Sequence, residues 1–394
     1  MAAFRDSMMG VEFAGIKFWH PILLAPGPPT RNEEYVIRAE EAGAGGVVFK
    51  TAVADSMPLT RRWARPRFRL LDWERRAKTQ ASYTLYSIEQ AYPGSQADYV
   101  VELNRITRCV RIPVLGSILA GSPEEWAEMA RQVEGAGVKG IELDLSCPHI
   151  PLTGNLSSLR RTVEAVVRAV AIPVIAKLKA ADPLLPAVRA AEEAGARGVT
   201  LCNRMSGLDI DIETRRPIMH GSYAGFGGPW SKYYVFRLLT EVAPAIGIPI
   251  SATSGVTSSE DVIKYILLGA TTVQVCTAVI LDGHEKLREL VSGTSRYFEQ
   301  HKLTPAELRG QTLKSIIPLT DIEREPPVRA RHDEAKCRHC RRCVPVCYFN
   351  AIELVEKKVR FFPDRCDGCG LCAQVCPHDA VKMVRHENSK NQRT

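Results

Sequence analysis

The sequence predicts an α/β chain: a closed (β/α)8 TIM barrel followed by a small α+β domain rich in cysteine. Three observations lead there. Eight short runs rich in Val, Ile and Leu recur between residues 21 and 277, with helical patterns between them. The joints from helix to strand repeat a Gly-Ala signature. Eight of the twelve cysteines fall between Cys337 and Cys376 at fixed spacing.

Taken in order, Val11–Phe13 and Ile16–Phe18 flank Ala14-Gly15 and predict a hairpin (11–18) that plugs the N-terminal end of the barrel. Strands are expected at 21–25, 46–50, 113–117, 140–145, 173–178, 198–202, 249–253 and 272–277. Their near-continuous apolar character suits parallel strands covered on both faces. Helices are expected at 123–134 and 183–194, each opening with proline after a capping residue, Ser122 and Asp182. Gly43, Gly137, Gly195 and Gly269 stand just past helix ends, where a left-handed cap is needed. Three strands open with Ile-Pro, at Ile112, Ile172 and Ile248; proline is tolerated at a strand's first residue. Residues 135–140 match G-x-G-x-x-G but precede a strand, so they read as a helix cap and not as a dinucleotide loop. A doubly wound sheet, the alternative, would carry a Gly-rich turn after its first strand. The expected division is a barrel at 1–305, a proline-containing linker at 306–333, the cysteine domain at 334–386 and a polar tail at 387–394.

Composition narrows the class. The chain has 394 residues, 45% hydrophobic and 24% charged, which excludes a disordered chain, a collagen-like repeat and a small disulfide-stapled domain. No run approaches the roughly 20 apolar residues of a membrane span, and residues 1–10 lack the apolar core of a secretory signal. The expected compartment is the cytoplasm, where dense cysteines bind metal and do not form disulfides.

Cys337-x2-Cys340-x2-Cys343-x3-Cys347 is followed by Cys366-x2-Cys369-x2-Cys372-x3-Cys376-Pro377. This is the bacterial two-cluster ferredoxin spacing, in which the fourth cysteine of each run ligates the other cluster. Cys337, Cys340, Cys343 and Cys376 are therefore expected to hold one [4Fe–4S], and Cys366, Cys369, Cys372 and Cys347 the second. Zinc sites space their C-x2-C pairs differently. Tyr348 stands where the first run often has proline, which costs no ligand. The formal charge is +8. Two clusters at about −2 each and a flavin phosphate at about −2 would bring it near neutrality, so basicity does not call for nucleic acid.

Iron–sulfur centres move single electrons, and a barrel joined to them needs a cofactor that also exchanges hydride; flavin does both. Active sites of such barrels lie at the C-terminal strand ends. Those ends carry Ala25, Lys50-Thr51, Ser117, Asp144 to His149, Lys177, Cys202-Asn203, Ser254-Gly255 and Cys276-Thr277. Two lysines suit the reduced flavin ring, and small residues after the last two strands suit its phosphate.

Phe49-Lys50-Thr51, 141–149 (IELDLSCPH), Ala176-Lys177-Leu178, 225–229 (GFGGP) and 273–277 (VQVCT) resemble the dihydroorotate dehydrogenase superfamily. With the C-terminal cysteines, the chain resembles the FMN/iron–sulfur catalytic subunits of bacterial dihydropyrimidine dehydrogenases within it. The resemblance implies FMN contacts at Ala25, Lys50, Thr51, Lys177, Asn203, Gly228, Ser254, Gly255, Cys276 and Thr277. It makes Cys147 the proton donor and acceptor; a thiol with a pKa near 8.5 can act in both directions near neutral pH. Substrate contacts are expected from Asp144, Asn203, Arg204 and Tyr86. The superfamily usually has Asn at Asp144, often Asn-Thr at Asn203-Arg204, and often Asn in the loops that here carry 83–86 and 117–122. Fewer carboxamides change the groups available to read a pyrimidine edge.

Other residues have plainer readings. Cys109, Cys202 and Cys276 read as packing residues, and the arginine-rich run at 61–76 as a solvated or docking surface. The expected function is reduction or oxidation of a CH–CH bond in a small cyclic substrate, with an electron partner (an NAD(P)/FAD subunit or a ferredoxin) and an oligomeric assembly. The same chemistry on dihydroorotate or a non-pyrimidine conjugated ring is the alternative. A tRNA-dihydrouridine synthase would have a helical C-terminal domain, and a pure electron-transfer subunit would not need an active-face cysteine.

Overall fold

Eight parallel strands close on themselves: β1 (Ile22–Leu24), β2 (Gly46–Val48), β3 (Val114–Leu119), β4 (Gly140–Asp144), β5 (Val174–Lys179), β6 (Gly198–Asn203), β7 (Ile250–Thr253) and β8 (Ala270–Val275). β1 pairs with β8 through Val273↔Ile22 and with β2 through Leu23↔Gly46. The register Val47↔Val114 between β2 and β3 closes the ring. Every residue of β1, β2, β3 and β8 is buried, as strands with barrel core inside and helices outside must be. This computed structural model describes residues 9–57, 68–71, 83–146, 156–220, 223–322 and 328–385.

Around the ring lie α1 (Glu33–Glu41), α2 (Gln96–Cys109), α3 (Pro123–Gly135), α4 (Leu156–Ala169), α5 (Leu185–Glu193), α6 (Ser231–Val242), α7 (Ser259–Leu267), α8 (Thr277–Asp282) and α9 (His284–His301). Ser122 caps α3 in a reciprocal box with Glu125, as its sequence predicts. α5 differs: it starts at Leu185 with Leu184 at the cap and no capping side chain. Asp182 is taken instead by Arg237, at 2.5 Å. Residues 135–140 form the end of α3 and the start of β4, with Gly137 at φ +87° as the left-handed cap.

The N-terminal hairpin pairs Val11 with Phe18 across Ala14 and Gly15, both at positive φ. Its Phe13, Ile16 and Phe18 pack with Leu23, Val48, Leu115 and Ile175 at the bottom of the barrel. That packing explains why three strands open with glycine. A Cβ on Gly46 would lie 2.6 Å from Phe18, one on Gly140 2.9 Å from Ile16, and one on Gly198 2.9 Å from Phe13.

Two features escape local sequence signals. Ala52–Val53 continues the pairing beyond β2 against Ile118 and Leu119 of β3. A four-stranded antiparallel sheet, in the order Met205–Gly207, Ala224–Gly227, Thr84–Ser87, Phe68–Leu71, joins the chain after β6 to the chain after β2. Of residues 83–86, read as loop, 84–86 thus enter a sheet.

By contact the chain divides into two compact units, Met1–Ile316 and Ile317–Thr394. In the second, Val328–His332 pairs antiparallel with Val381–Arg385, and Ile352–Val355 forms a hairpin with Lys358–Phe361. Val328–His332 lies inside the stretch expected as linker; its partner strand is some fifty residues away, so no local pattern announces it. Residues 387–394 and most of the arginine-rich run lie outside the described residues. Among the described residues no helix is long and apolar enough to cross a membrane.

Tyr99 on α2 shows how a helix fixes a strand. Fully buried, it donates from its hydroxyl to the Ser117 carbonyl (2.9 Å) and accepts from the Ser117 N–H (3.0 Å). Tyr99→Phe leaves both Ser117 backbone groups buried and unpaired. It should lower unfolding free energy by about 1–3 kcal/mol, read from the urea midpoint of the holoprotein; an unchanged midpoint would show that other groups satisfy Ser117.

Candidate active site and cysteine cavities

The C-terminal ends of the barrel strands open into one cavity of about 1170 Å3, its mouth included. Ala25, Lys50, Thr51, Asp144, Lys177, Asn203, Arg204, Gly228, Ser254, Gly255, Cys276 and Thr277 all line it. Tyr86 does not. It is 2% exposed, packs with Ile88, Met219 and Ala224, and donates to the Gly207 carbonyl at 3.3 Å. The strand geometry of Thr84–Ser87 turns its ring into the small sheet, and Tyr83 lines the cavity instead. Cys147 and His149 lie outside the described residues.

Both lysines are held by carboxylates. Lys50 Nζ lies 2.9 Å from Glu89 at the end of β2. Lys177 on β5 lies 3.0 Å from Glu142 on β4, with Glu142 0% exposed. The other oxygen of Glu142 accepts from Thr200 Oγ1 on β6 and from Gln274 Nε2 on β8, both at 2.7 Å. Both oxygens of this carboxylate face donors, three in all, one of them a cation, which is the condition for burying a charge. Gln274 Oε1 is buried at the cavity and, among the described residues, has no hydrogen-bond partner. Neither Glu142 nor Gln274 was singled out from the sequence. The signal was there: a glutamate between Ile141 and Leu143 in a strand covered on both faces demands a buried cation.

A second network occupies the ends of β4 and β6. Asn203 Nδ2 donates to Ser146 Oγ at 3.0 Å and to Asp144 Oδ1 at 3.3 Å, and Ser146 Oγ donates to the same Asp144 oxygen at 2.9 Å. Asn203 Oδ1 accepts from the Arg204 N–H at 2.8 Å, fixing the amide's orientation. The Arg204 guanidinium donates to Ser87 Oγ and, among the described residues, forms no ion pair.

After β7 the backbone turns sharply. Ser254 has φ +93° and Gly255 φ +68°. Ser254 donates from Oγ to the Cys202 carbonyl (2.9 Å), and the Tyr265 hydroxyl donates to the Ser254 carbonyl (2.6 Å), which hold a non-glycine residue in that strained region. Gly228 is needed for close approach, since a Cβ there would lie 2.0 Å from the Tyr83 carbonyl oxygen. Burial pushes the Cys202 and Cys276 thiols up to about 12, so both stay protonated at neutral pH. Cys109 is exposed at the end of α2, contrary to its reading as a packing residue.

In the second unit the eight cysteines sort into two cavities. Cys337, Cys340, Cys343 and Cys376 line one; Cys347, Cys366, Cys369 and Cys372 line the other. Each run thus sends its fourth cysteine to its neighbour's cavity. Backbone N–H groups already point at sulfur: His339 to Cys337, Ala330 to Cys366 and Ala380 to Cys376, each at 3.4 Å. Such donors stabilise thiolate ligands and tune a cluster's potential.

The Glu142–Lys177 pair gives a cofactor-independent test. Glu142→Leu strands a buried ammonium and should destabilise the protein by about 3–5 kcal/mol. Adding Lys177→Met should recover most of that loss in chemical denaturation of the apoprotein. Equal losses in the single and double variants would show that the two residues are not coupled.

Residues 8–296 match the family described as dihydroorotate dehydrogenase, and residues 336–380 match a 4Fe-4S dicluster domain. The catalytic subunit of dihydroorotate dehydrogenase B (NAD(+)) from Pyrococcus abyssi is 33% identical over 78% of this chain and all of its own length. The corresponding subunit from Thermococcus kodakarensis is 31% identical over 76% of this chain and 96% of its own. The NAD-dependent dihydropyrimidine dehydrogenase subunit PreA of Escherichia coli K12 is 28% identical over 88% of this chain and 87% of its own, so that its similarity reaches into the cysteine domain. The barrel, its lysine-lined cavity and these matches together make the chain a member of the dihydroorotate dehydrogenase family, an oxidoreductase of the CH–CH class with a C-terminal 4Fe-4S domain.

Proposed function

We propose that the protein is an FMN- and [4Fe–4S]-dependent oxidoreductase of the dihydropyrimidine dehydrogenase kind. It would act on the C=C or CH–CH bond of a small cyclic substrate and relay electrons through two [4Fe–4S] clusters to a partner that is either an NAD(P)/FAD subunit or a ferredoxin. The observation that carries this reading is the sorting of eight cysteines, four and four, in a chain whose barrel ends in a lysine-lined cavity.

The cavity's donor set fits FMN. Gln274 Oε1 is a buried acceptor with no partner among the described residues, Lys50 and Lys177 place ammonium groups at the cavity, and the Ser254-Gly255 turn lines it. Bound there, FMN supplies hydride chemistry at N5 and one-electron exchange with the clusters. Lys50, Thr51, Lys177 and Asn203 would orient the ring, while Gly228, Ser254, Gly255 and Thr277 would hold its phosphate end, with Ala25 and Cys276 along the wall. Cys147 follows Ser146 directly, at the exit of β4, and would give or take the proton at substrate carbon. Cys202 and Cys276 are too firmly protonated to share that role.

Asp144, Asn203 and Arg204 would read the substrate. The Arg204 guanidinium, which donates to Ser87 but forms no ion pair among the described residues, favours a substrate oxygen bearing negative charge, which keeps dihydroorotate or a non-pyrimidine conjugated ring as the second reading. The reading also includes a cytoplasmic location and an oligomeric assembly.

The anaerobically purified protein should contain about eight iron, eight acid-labile sulfide and one FMN per chain. Zinc without labile sulfide would remove the relay. Cys347→Ser should damage the centre held by Cys366, Cys369 and Cys372, as resolved by EPR; damage confined to the other centre would contradict the crossed ligation.

Cys147→Ala should leave FMN content and photochemical reduction intact and slow substrate-dependent reoxidation by roughly 10^2–10^4-fold, with Cys147→Ser falling less far. Wild-type turnover in Cys147→Ala would assign the proton elsewhere. Reoxidation of the reduced protein by uracil, thymine, orotate and cyclic enones would identify the substrate class; rapid reoxidation by uracil selects the pyrimidine reading.

A further inference from the structure

The two cysteine runs are repeats of one another, and comparing them position by position exposes an asymmetry. The second run places Asp367, Gly370 and Leu371 between its ligands; the first places Arg338, Arg341 and Arg342 at the equivalent positions. Gly368 and Gly370 have φ +85° and +79°, the left-handed region natural to glycine. His339 and Arg341, their counterparts, take the same region at φ +50° and +67°. A side chain with a Cβ is strained there, so arginine at 341 is not the residue the backbone asks for.

Nor do the arginines serve the fold. Arg338, Arg341 and Arg342 are exposed, rim the cavity of Cys337, Cys340, Cys343 and Cys376, and form no ion pair among the described residues. A groove shares His332, Val359 and Phe361 with that cavity; it carries Arg331, Lys358 and Arg360, which form no ion pair among the described residues, against the carboxylates of Glu334 and Asp364, the latter paired with Arg329. The cavity of the second run carries no basic residue; apart from the carboxylate of Asp367 its lining, Phe349 included, is uncharged.

We propose that this basic rim is the docking surface for an acidic one-electron carrier protein, which exchanges electrons with the cluster of the Cys337 cavity. Opposite charge across such an encounter raises the association rate and loses its effect as salt screens it. Cys340 is itself exposed, so a carrier seated on the arginines stands directly over a ligand of the cluster. The inference rests on the reading that this cavity holds a [4Fe–4S] cluster.

The test uses the holoprotein and stopped-flow reduction by a reduced acidic ferredoxin. The second-order rate should fall at least tenfold between 20 and 500 mM salt. At 20 mM salt it should fall at least tenfold in Arg338→Glu/Arg341→Gly/Arg342→Glu, and the gap should close at 500 mM. Arg341→Gly removes charge while giving the backbone the residue it favours, so the single variant should keep its clusters and thermal stability and still lose rate. Cluster content and photochemical reduction should match wild type throughout. A wild-type rate that is flat or rises with salt overturns the proposal, whatever the variants do. So does wild-type reduction of the triple variant, which would leave the arginines as mere counter-charge. Absence of labile sulfide overturns the cluster reading as well, whereas intact clusters with a flat salt profile overturn the docking surface alone.

Discussion

The barrel's chemistry hangs on one buried carboxylate. Glu142 reaches inward from β4 and ties together β5, β6 and β8 through Lys177, Thr200 and Gln274. An isolated carboxylate at this depth would be costly, and an isolated lysine equally so; each makes the other tolerable. The pairing also fixes where Lys177 stands, because an ammonium with its position set by a strand-borne partner has little freedom to reorient. The ammonium at this end of the barrel is thus pre-organised: its orientation is completed by folding.

The same logic runs outward with falling rigidity. Lys50 is held by Glu89, which lies in the chain after β2 and not on a neighbouring strand. Asn203 is held by Ser146 and Asp144, beyond or at the last residues of β4. Arg204 is anchored to Ser87 in the four-stranded sheet. The partners that hold the polar side chains therefore grade from strand (Glu142) to strand end (Ser146 and Asp144) to accessory sheet (Ser87).

Legibility in the sequence follows this gradient. The eight strands were readable because their runs are rich in Val, Ile and Leu and seven of them are bounded by a Gly cap or an Ile-Pro start, which are local signals. Lys50, Lys177, Asn203 and Thr277 were readable because they stand at strand ends, and strand ends meet at one face of any such barrel. Tyr86 was misplaced because its environment is set by pairing with Phe226, far along the chain. The start of α5 was missed because Asp182 serves Arg237 on another helix. Glu142 lay within a quoted motif, yet its role needs the register of β4 against β5, β6 and β8. In each miss a long-range partner outweighed the local pattern.

The cysteine domain shows the complementary case, where spacing alone implies crossed ligation. A C-x2-C-x2-C run can wrap only one small cavity, so the cysteine four residues past its third ligand points away and needs another home. Antiparallel pairing of Val328–His332 with Val381–Arg385 and the central hairpin bring the two runs together. Cys343 and Cys372, the third ligands, are buried with Ala330, Ile352, Val359 and Val381 in the small core. The cavities therefore supply part of the domain's interior, and a domain of this size has little other apolar area to bury. Binding of the clusters would stabilise the fold directly, since the ligands are also the core. Residues between the ligands divide accordingly: His339 bonds Cys337 and Val359 and serves the fold, whereas Arg338, Arg341 and Arg342 are exposed with no ion pair among the described residues, and theirs is the charge that the proposed carrier would meet.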